Sequence, residues 1–188
     1  MHATRVRNGV DFDNLVVENI QNVDVEGPIW SNRARPITST RQTERDVNRD
    51  MNQIDAAIAV VIRDAKVLVC QRKDGDTFGG YWEFPGGKQE DGETLHECLA
   101  RELHEELAIR ARPVAQLTTI EHIYPNVKLR LHPFVCEHEA GDVQHIECQA
   151  SEWIDPPRLR EYRFPPANES LIEEVVTYLA QRDNRRRR

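Results

Sequence analysis

The sequence lacks several features that mark whole classes of protein. It contains no run of the roughly 18 or more apolar residues that a membrane-spanning helix needs, and its N terminus has no apolar stretch like that of a signal peptide. Its four cysteines form no CxxC pair; they are Cys70, Cys98, Cys136 and Cys148. These absences predict a cytoplasmic protein with reduced thiols and no membrane partner.

A zinc site is the alternative interpretation of the two C-terminal cysteines. Cys136-x-His138 followed by His145-x-x-Cys148 offers a possible set of zinc ligands. The spacing matches no established zinc module. The simpler interpretation is that two strand cysteines flank a polar loop.

Positive charge is also in deficit. The 188 residues include 25 Lys and Arg against 32 Asp and Glu, which gives a net charge of −7. A uniformly acidic protein does not favour contact with nucleic-acid backbones, so no stable nucleic-acid complex is expected. The basic tail at 183–188 ends in four arginines, which are more often solvated than bound to nucleic acid.

The chain divides near residue 50. Residues 1–50 combine low apolar content with mixed charge, which predicts a flexible or poorly ordered N-terminal extension that is dispensable for folding. Residues 51–182 alternate strand and helix patterns and are expected to form one α/β layered domain. The predicted strands are the pair 54–64 and 66–72, the pair 115–124 and 127–137 around Pro125-Asn126, and the short EWID segment. NESLIEEVVTYLAQR has helical apolar spacing and predicts a C-terminal amphipathic helix.

A glutamate-rich segment, GGKQEDGETLHECLARELHEELAI, spans residues 86–109. Thr94 and Glu97 have the T-x-x-E spacing of a capping box, which predicts that a helix begins at Thr94. At about 100° per residue, one face of this helix carries a stripe of leucines. They are Leu95, Leu99, Leu103 and Leu107.

Glu102, Glu105 and Glu106 border that leucine stripe. Glu106 falls between leucines, where a carboxylate loses water, and Arg101 cannot neutralise three carboxylates. The simpler interpretation is a solvated acidic face. The inward position of Glu106 and the GGK turn upstream instead favour oxygen ligands for a hard cation such as Mg²⁺ or Mn²⁺. This chemistry predicts a metal-dependent phosphoanhydride hydrolase.

The spacing of this segment resembles the Nudix box. Gly87, five residues, Glu93, seven residues, Arg101-Glu102-Leu103, one residue and Glu105-Glu106 reproduce its pattern. Ala108 departs from it, because the family usually has glycine there. If the helix ends in a left-handed conformation at this point, alanine should cost about 1 kcal/mol.

Further segments extend the resemblance over residues 54–180. WEFPGGK, SEW and FPPANE are similar to MutT-type Nudix hydrolases. The resemblance implies an α/β fold, the Nudix-type α/β/α sandwich with a mixed β-sheet. It also implies Mg²⁺-dependent cleavage of a nucleoside triphosphate to the monophosphate and pyrophosphate, with Mn²⁺ as an alternative cofactor and oxidised nucleotides such as 8-oxo-dGTP as substrates.

The same resemblance implies roles for individual residues. The metal ligands would be Gly86, through its carbonyl, Glu102, Glu105 and Glu106. Glu93 would stabilise the box and its metal network, Arg101 would orient the glutamates, and Glu152 of SEW would be a further metal-linked carboxylate or base. The substrate contacts would be Arg72, Glu83, Phe84 and Asn168.

Two positions leave the identity of the preferred nucleotide undecided. Without the resemblance, Asn168 is better explained as the N-cap of the last helix. Val127 stands where related enzymes often place an arginine near the base. The alternatives are therefore a Nudix hydrolase that prefers cytidine or other modified nucleotides, and a Nudix domain that binds nucleotides without turnover.

Overall fold

The computed structural model describes residues 52–76, 78–124 and 127–186. The predicted N-terminal extension, the turn at Pro125-Asn126 and the last two residues lie outside these ranges. The strands are β1 (Asn52–Arg63), β2 (Lys66–Gln71), β3 (Trp82–Glu83), β4 (Gly86–Lys88), β5 (Arg110–Gln116), β6 (Ile120–Tyr124), β7 (Val127–Ala140) and β8 (Ala150–Ile154). The α-helices are α1 (Leu95–Leu107) and α2 (Glu169–Arg186), and short 3-10 helices cover Pro156–Glu161 and Pro166–Asn168.

The strands form one mixed sheet of eight strands, with the main order β3-β2-β1-β7-β5. β1 is central: it pairs in parallel with β7 from Asn52 opposite Val127 to Ile62 opposite Glu137. It also pairs antiparallel with β2 and β4. β6 pairs with β7, and β8 pairs with β2. A strand paired on both edges and covered on both faces accounts for the nearly continuous apolar run of β1.

The two helices lie on opposite faces of the sheet. Successive β1 side chains point to opposite faces, so Ala57, Ala59 and Val61 pack with α1, whereas Val60 packs with α2. All four cysteines are buried in the α1-side core, together with the leucines of α1. The predicted α/β/α sandwich with a mixed sheet is confirmed.

The predicted strand over 115–124 is wrong at one point. β5 ends at Gln116 and β6 begins at Ile120. Between them, Leu117 enters the α2-side core. The backbone N–H and the hydroxyl of Thr118 bind the Glu174 carboxylate of α2 instead of a neighbouring strand. Leu117 still donates a 2.9 Å hydrogen bond to the Pro133 carbonyl of β7, so the chain leaves the sheet at Thr118 to contact the helix.

The last helix is longer than predicted. α2 continues to Arg186, into the segment 183–188 that the sequence predicted as a basic tail. Its apolar positions behave as expected, because Ile172 and Val175 are buried in the α2-side core. In the described ranges, no helix combines the length and the apolar character that crossing a membrane requires.

Candidate active site

α1 begins and ends at the residues that the sequence indicated. The Thr94 hydroxyl accepts a 3.2 Å hydrogen bond from the Glu97 N–H, and the Glu97 carboxylate accepts one of 2.8 Å from the Thr94 N–H. This reciprocal pair is the predicted capping box. At the other end, Ala108 has φ 56° and ψ 28°, so the left-handed conformation that usually favours glycine is present with alanine.

The leucine stripe fixes which way the glutamates of α1 face. Leu99, Leu103 and Leu107 are almost completely buried against the sheet, and Leu95 is partly buried. Glu102, Glu105 and Glu106 are partly buried along the border of this face. The packing of the leucines therefore holds three carboxylates where the helix meets the sheet.

The glycine pair of β4 lies directly against two of these carboxylates. A Cβ atom at Gly87 would lie 2.5 Å from Cδ and Oε1 of Glu102, so a larger residue there would push the Glu102 carboxylate out of its present position. The Gly86 N–H donates a 3.1 Å hydrogen bond to Oε2 of Glu106. β4 thus supplies both space for the Glu102 carboxylate and a hydrogen-bond donor for the Glu106 carboxylate.

Arg101 connects the carboxylates of this region. Its guanidinium donates to both carboxylate oxygens of Glu93, at 2.6 and 3.0 Å. It also reaches Glu102 at 2.6 Å and Glu105 at 3.3 Å. A further bond to the Lys88 carbonyl ties the arginine to β4. The planar guanidinium of an arginine has several N–H donors in fixed directions, so it can bind several carboxylates at once better than the ammonium of a lysine would.

The electrostatics divide the glutamates into two groups. Hydrogen bonds from Arg101 lower the pKa of Glu93. Burial raises the pKa of Glu106 well above its ordinary value, and the charges of Glu83, Glu102 and Glu147 raise it further. Burial also raises the pKa of Glu102, against the opposing effect of Arg101. Glu102 and Glu106 are therefore carboxylates that lack sufficient positive charge within the protein.

Glu147 was not singled out from the sequence. It lies in the loop of residues 141–149, whose backbone N–H groups at Ile146 and Glu147 bind the Glu106 carbonyl at 3.1 and 3.4 Å. Its charge acts on both Glu102 and Glu106. The sequence signal was indirect: the last carbonyls of a helix need partners, and nothing in the residues between 141 and 149 distinguishes this glutamate in advance.

Glu152 lies on the other face of the sheet. It is directly opposite Val69 of β2, and such pairs share one face. Val69 packs in the α2-side core. The Glu152 carboxylate accepts a 2.6 Å hydrogen bond from the Tyr162 hydroxyl. The structure therefore does not bring Glu152 to the carboxylates of α1.

The predicted substrate contacts fall into three environments. Arg72 and Glu83 form a 2.5 Å ion pair, and the charge of Glu83 also reaches Glu106. Phe84 is buried and packs on Phe164, with ring centroids 5.3 Å apart, so it belongs to the core. Asn168 is partly exposed at the end of a 3-10 helix. Its backbone N–H binds the Pro165 carbonyl, but in the part of the chain that the structure describes its side-chain amide makes no hydrogen bond, so that amide does not cap α2.

The zinc alternative is wrong. Cys136 is buried and its thiol faces the Phe134 carbonyl, whereas His138 binds the Gly141 carbonyl and His145 binds Ser151. Across residues 52–76, 78–124 and 127–186, no three His, Cys, Asp or Glu side chains already converge as a metal-ligand set. Of the helix glutamates, Glu102 and Glu105 are bound by Arg101, and Glu106 is bound by the Gly86 N–H.

The carboxylates nevertheless fit a hard divalent cation. Burial raises the pKa of Glu106, and the negative charges of Glu83, Glu102 and Glu147 raise it further, so the ionised Glu106 carboxylate lacks a compensating positive charge. Carboxylate oxygens are the ligands that Mg²⁺ and Mn²⁺ prefer, and a cation would relieve their mutual repulsion. Glu102, Glu105 and Glu106, with the Gly86 carbonyl, are the residues that would hold it.

Known proteins are similar to this chain in sequence and in fold. The NUDIX domain family matches residues 57–174. The CTP pyrophosphohydrolase of Escherichia coli K12 is 33% identical over 132 residues, which cover 70% of this chain and 98% of that protein. The 8-oxo-dGTP diphosphatase of the same organism is 29% identical over 126 residues, covering 66% of this chain and 98% of that protein.

A solved structure agrees with these matches. The solution structure of the E. coli ORF135 protein has a TM-score of 0.64 and 32% identity, and it covers 70% of this chain and 94% of its own. The family match spans more than half of the sequence and includes α1 with its glutamates. The chain belongs to the Nudix hydrolase family.

Proposed function

We propose that this chain is a divalent-cation-dependent nucleoside triphosphate pyrophosphohydrolase. Water adds across a phosphoanhydride bond, and the products are a nucleoside monophosphate and pyrophosphate. The observation that carries the proposal is the row of Glu102, Glu105 and Glu106 along one border of α1, where Arg101 binds the first two and the Gly86 N–H of β4 binds the third. A bound Mg²⁺ would offset the negative charge of both these carboxylates and the substrate phosphates.

The residues of the chain have separable tasks in this function. Glu102, Glu105 and Glu106 hold the cation, and Arg101 with Glu93 keeps their side chains in place. Arg72 is a candidate donor to substrate, since its guanidinium is already oriented by Glu83. The presence of every box carboxylate supports turnover rather than binding alone.

Glu147 is a better-placed candidate than Glu152 for the group that accepts the proton of the attacking water. Its backbone N–H contacts the helix that carries the metal carboxylates, and its charge acts on two of them. A general base contributes about 10²–10⁴-fold to rate. Glu147→Gln should therefore lower kcat by about that factor, whereas Glu152→Gln should leave it within about threefold of wild type. A larger loss of kcat in Glu152→Gln than in Glu147→Gln would instead identify Glu152 as the general base.

The base of the substrate has two candidates. The Asn168 amide offers one donor and one acceptor. It matches the O6 acceptor and the N7–H donor of 8-oxoguanine, whereas ordinary guanine has acceptors at both O6 and N7. The family also includes an enzyme named for CTP. Cytosine, with a donor at N4 beside the N3 acceptor, would satisfy the same amide. Oxidised guanine nucleotides are the proposed substrates, and cytidine nucleotides are the second candidate.

A nucleotide panel tests the function directly. The full chain is incubated with Mg²⁺ and, in turn, 8-oxo-dGTP, dGTP, CTP and dCTP, and the products are separated by ion-exchange chromatography. Monophosphate and pyrophosphate are expected, and EDTA should abolish their formation. Release of inorganic phosphate with a nucleoside diphosphate, or turnover unaffected by EDTA, would contradict the proposal.

A further inference from the structure

The 141–149 loop is docked on the C-terminal end of α1. The last four carbonyls of a helix have no partner within the helix. Here the Gln144 N–H binds the Leu107 carbonyl at 2.9 Å, and the Ile146 and Glu147 N–H groups bind the Glu106 carbonyl. The loop is thus hydrogen-bonded to the last turn of α1, which also carries the Glu106 carboxylate.

Gly141 allows the loop to approach the helix this closely. Its φ is +91°, and a Cβ atom there would lie 2.5 Å from the Ala108 carbonyl oxygen and 3.0 Å from Cα of Ile109. Both are backbone atoms. Ile109 is completely buried, and Ala108 already has a constrained left-handed backbone, so neither can easily move away. Any larger residue at 141 must displace the loop.

The other end of the loop is anchored as well. Cys148 is buried in the α1-side core, and the Gln149 N–H binds the Gln71 carbonyl at 2.9 Å. The Lys73 ammonium also contacts the Ile146 carbonyl at 3.2 Å. Glu147 is therefore an exposed residue on a segment that is fixed on both sides.

We propose that Gly141 is a positioning residue: its close contact with Ala108 docks the 141–149 loop on α1 and so holds Glu147, whose N–H binds the Glu106 carbonyl, at the end of the helix that carries Glu102 and Glu106. This inference rests on the proposed function, since it gives Glu147 the task of accepting a proton. Gly141 touches no substrate and acts through the loop. A misplacement of about 1 Å can cost about a hundredfold in rate.

A pair of glycine variants distinguishes loss of the docking contact from the backbone strain that alanine causes at any positive φ. Gly92 also has a positive φ, of +86°, but a Cβ there meets nothing within 4 Å. Gly141→Ala should lower kcat about ten- to a hundredfold with KM changed less than about threefold, whereas Gly92→Ala should keep kcat. In the double variant with Glu147→Gln, Gly141→Ala should add less than about threefold further loss, because both changes remove the same group from the site.

Amide hydrogen exchange gives a readout that needs no turnover. The Ile146 and Glu147 amides should lose at least about tenfold protection in Gly141→Ala and keep it in Gly92→Ala, since they open with the loop. The proposal would be overturned if the Ile146 and Glu147 amides stayed protected in Gly141→Ala. It would also be overturned if the kcat losses of Gly141→Ala and Glu147→Gln multiplied in the double variant. Full activity of Glu147→Gln would also overturn it, while the hydrolase function would still be judged by EDTA and the nucleotide panel.

Discussion

The Gly86 N–H donates a 3.1 Å hydrogen bond to the Glu106 carboxylate, and this donor only partly offsets the burial of that group. Burial and the neighbouring carboxylates still raise the pKa of Glu106 well above its ordinary value of 4.5. The folded protein then holds this proton more tightly than the unfolded chain does. The contribution of Glu106 to the free energy of unfolding should therefore fall as the pH rises above about 4.5 and through the raised pKa.

The first prediction follows from the direction of this pH dependence. In EDTA at neutral pH, Glu106→Gln should raise the melting temperature, because it removes a buried charge that nothing within the protein neutralises. The same variant should lose at least about 100-fold in kcat/KM with Mg²⁺, as for loss of a principal electrostatic group. Calorimetry at pH 4 and pH 7.5 checks the first part, with the stability gain expected to be larger at pH 7.5. A lower melting temperature at both pH values would show that the carboxylate stabilises the fold.

The second prediction concerns the left-handed end of α1. Ala108→Gly should stabilise the protein by up to about 1 kcal/mol, because glycine adopts φ of 56° without steric cost. Ala100 is an exposed alanine inside the same helix, so Ala100→Gly should instead destabilise by about 1 kcal/mol. Urea unfolding of both variants measures the contrast. Equal losses in the two would mean that the Ala108 backbone carries no strain.

The third prediction concerns acid stability. Asp55 is partly buried, which alone would raise its pKa, but hydrogen bonds from Arg130 and His132 hold the pKa at about 2. Its stabilisation should be complete above the unfolded value near 3.8 and lost as the pH falls from there through about 2. Asp55→Asn should thus cost about 2 kcal/mol at pH 6, and the difference should shrink toward pH 2. A difference that is independent of pH would mean that the Asp55 charge contributes nothing.

The fourth prediction concerns the base. If the Asn168 amide binds 8-oxoguanine, wild type should prefer 8-oxo-dGTP over dGTP, and Asn168→Ala should reduce that ratio of kcat/KM about ten- to a hundredfold. Ser170→Ala, an exposed change in the first turn of α2, is the matched control and should keep the ratio. A variant that keeps its selectivity but melts earlier would show that Asn168 acts only in the fold.

Local patterns predicted α1 well because every rule involved acts within a few residues. Thr94 with Glu97 set the start of the helix, and the leucine spacing set its buried face. The faces of paired strands were harder to infer. Whether Glu152 points toward α1 depends on its register with Val69, and a shift of one residue reverses the face. The position of Glu147 depends on a loop whose N–H groups bind the carbonyls at the end of α1, which is distant in the sequence. No local sequence pattern indicates that contact.

The placement of the cysteines makes the two layers of the protein experimentally distinguishable. All four thiols lie in the α1-side core, whereas the α2-side core is built from other apolar side chains. A thiol-alkylating reagent can therefore act as a native probe of how often the helix that carries Glu102, Glu105 and Glu106 separates from the sheet. Alkylation that is slowed by Mg²⁺ would report cation binding by a natural label, without any substitution in the protein.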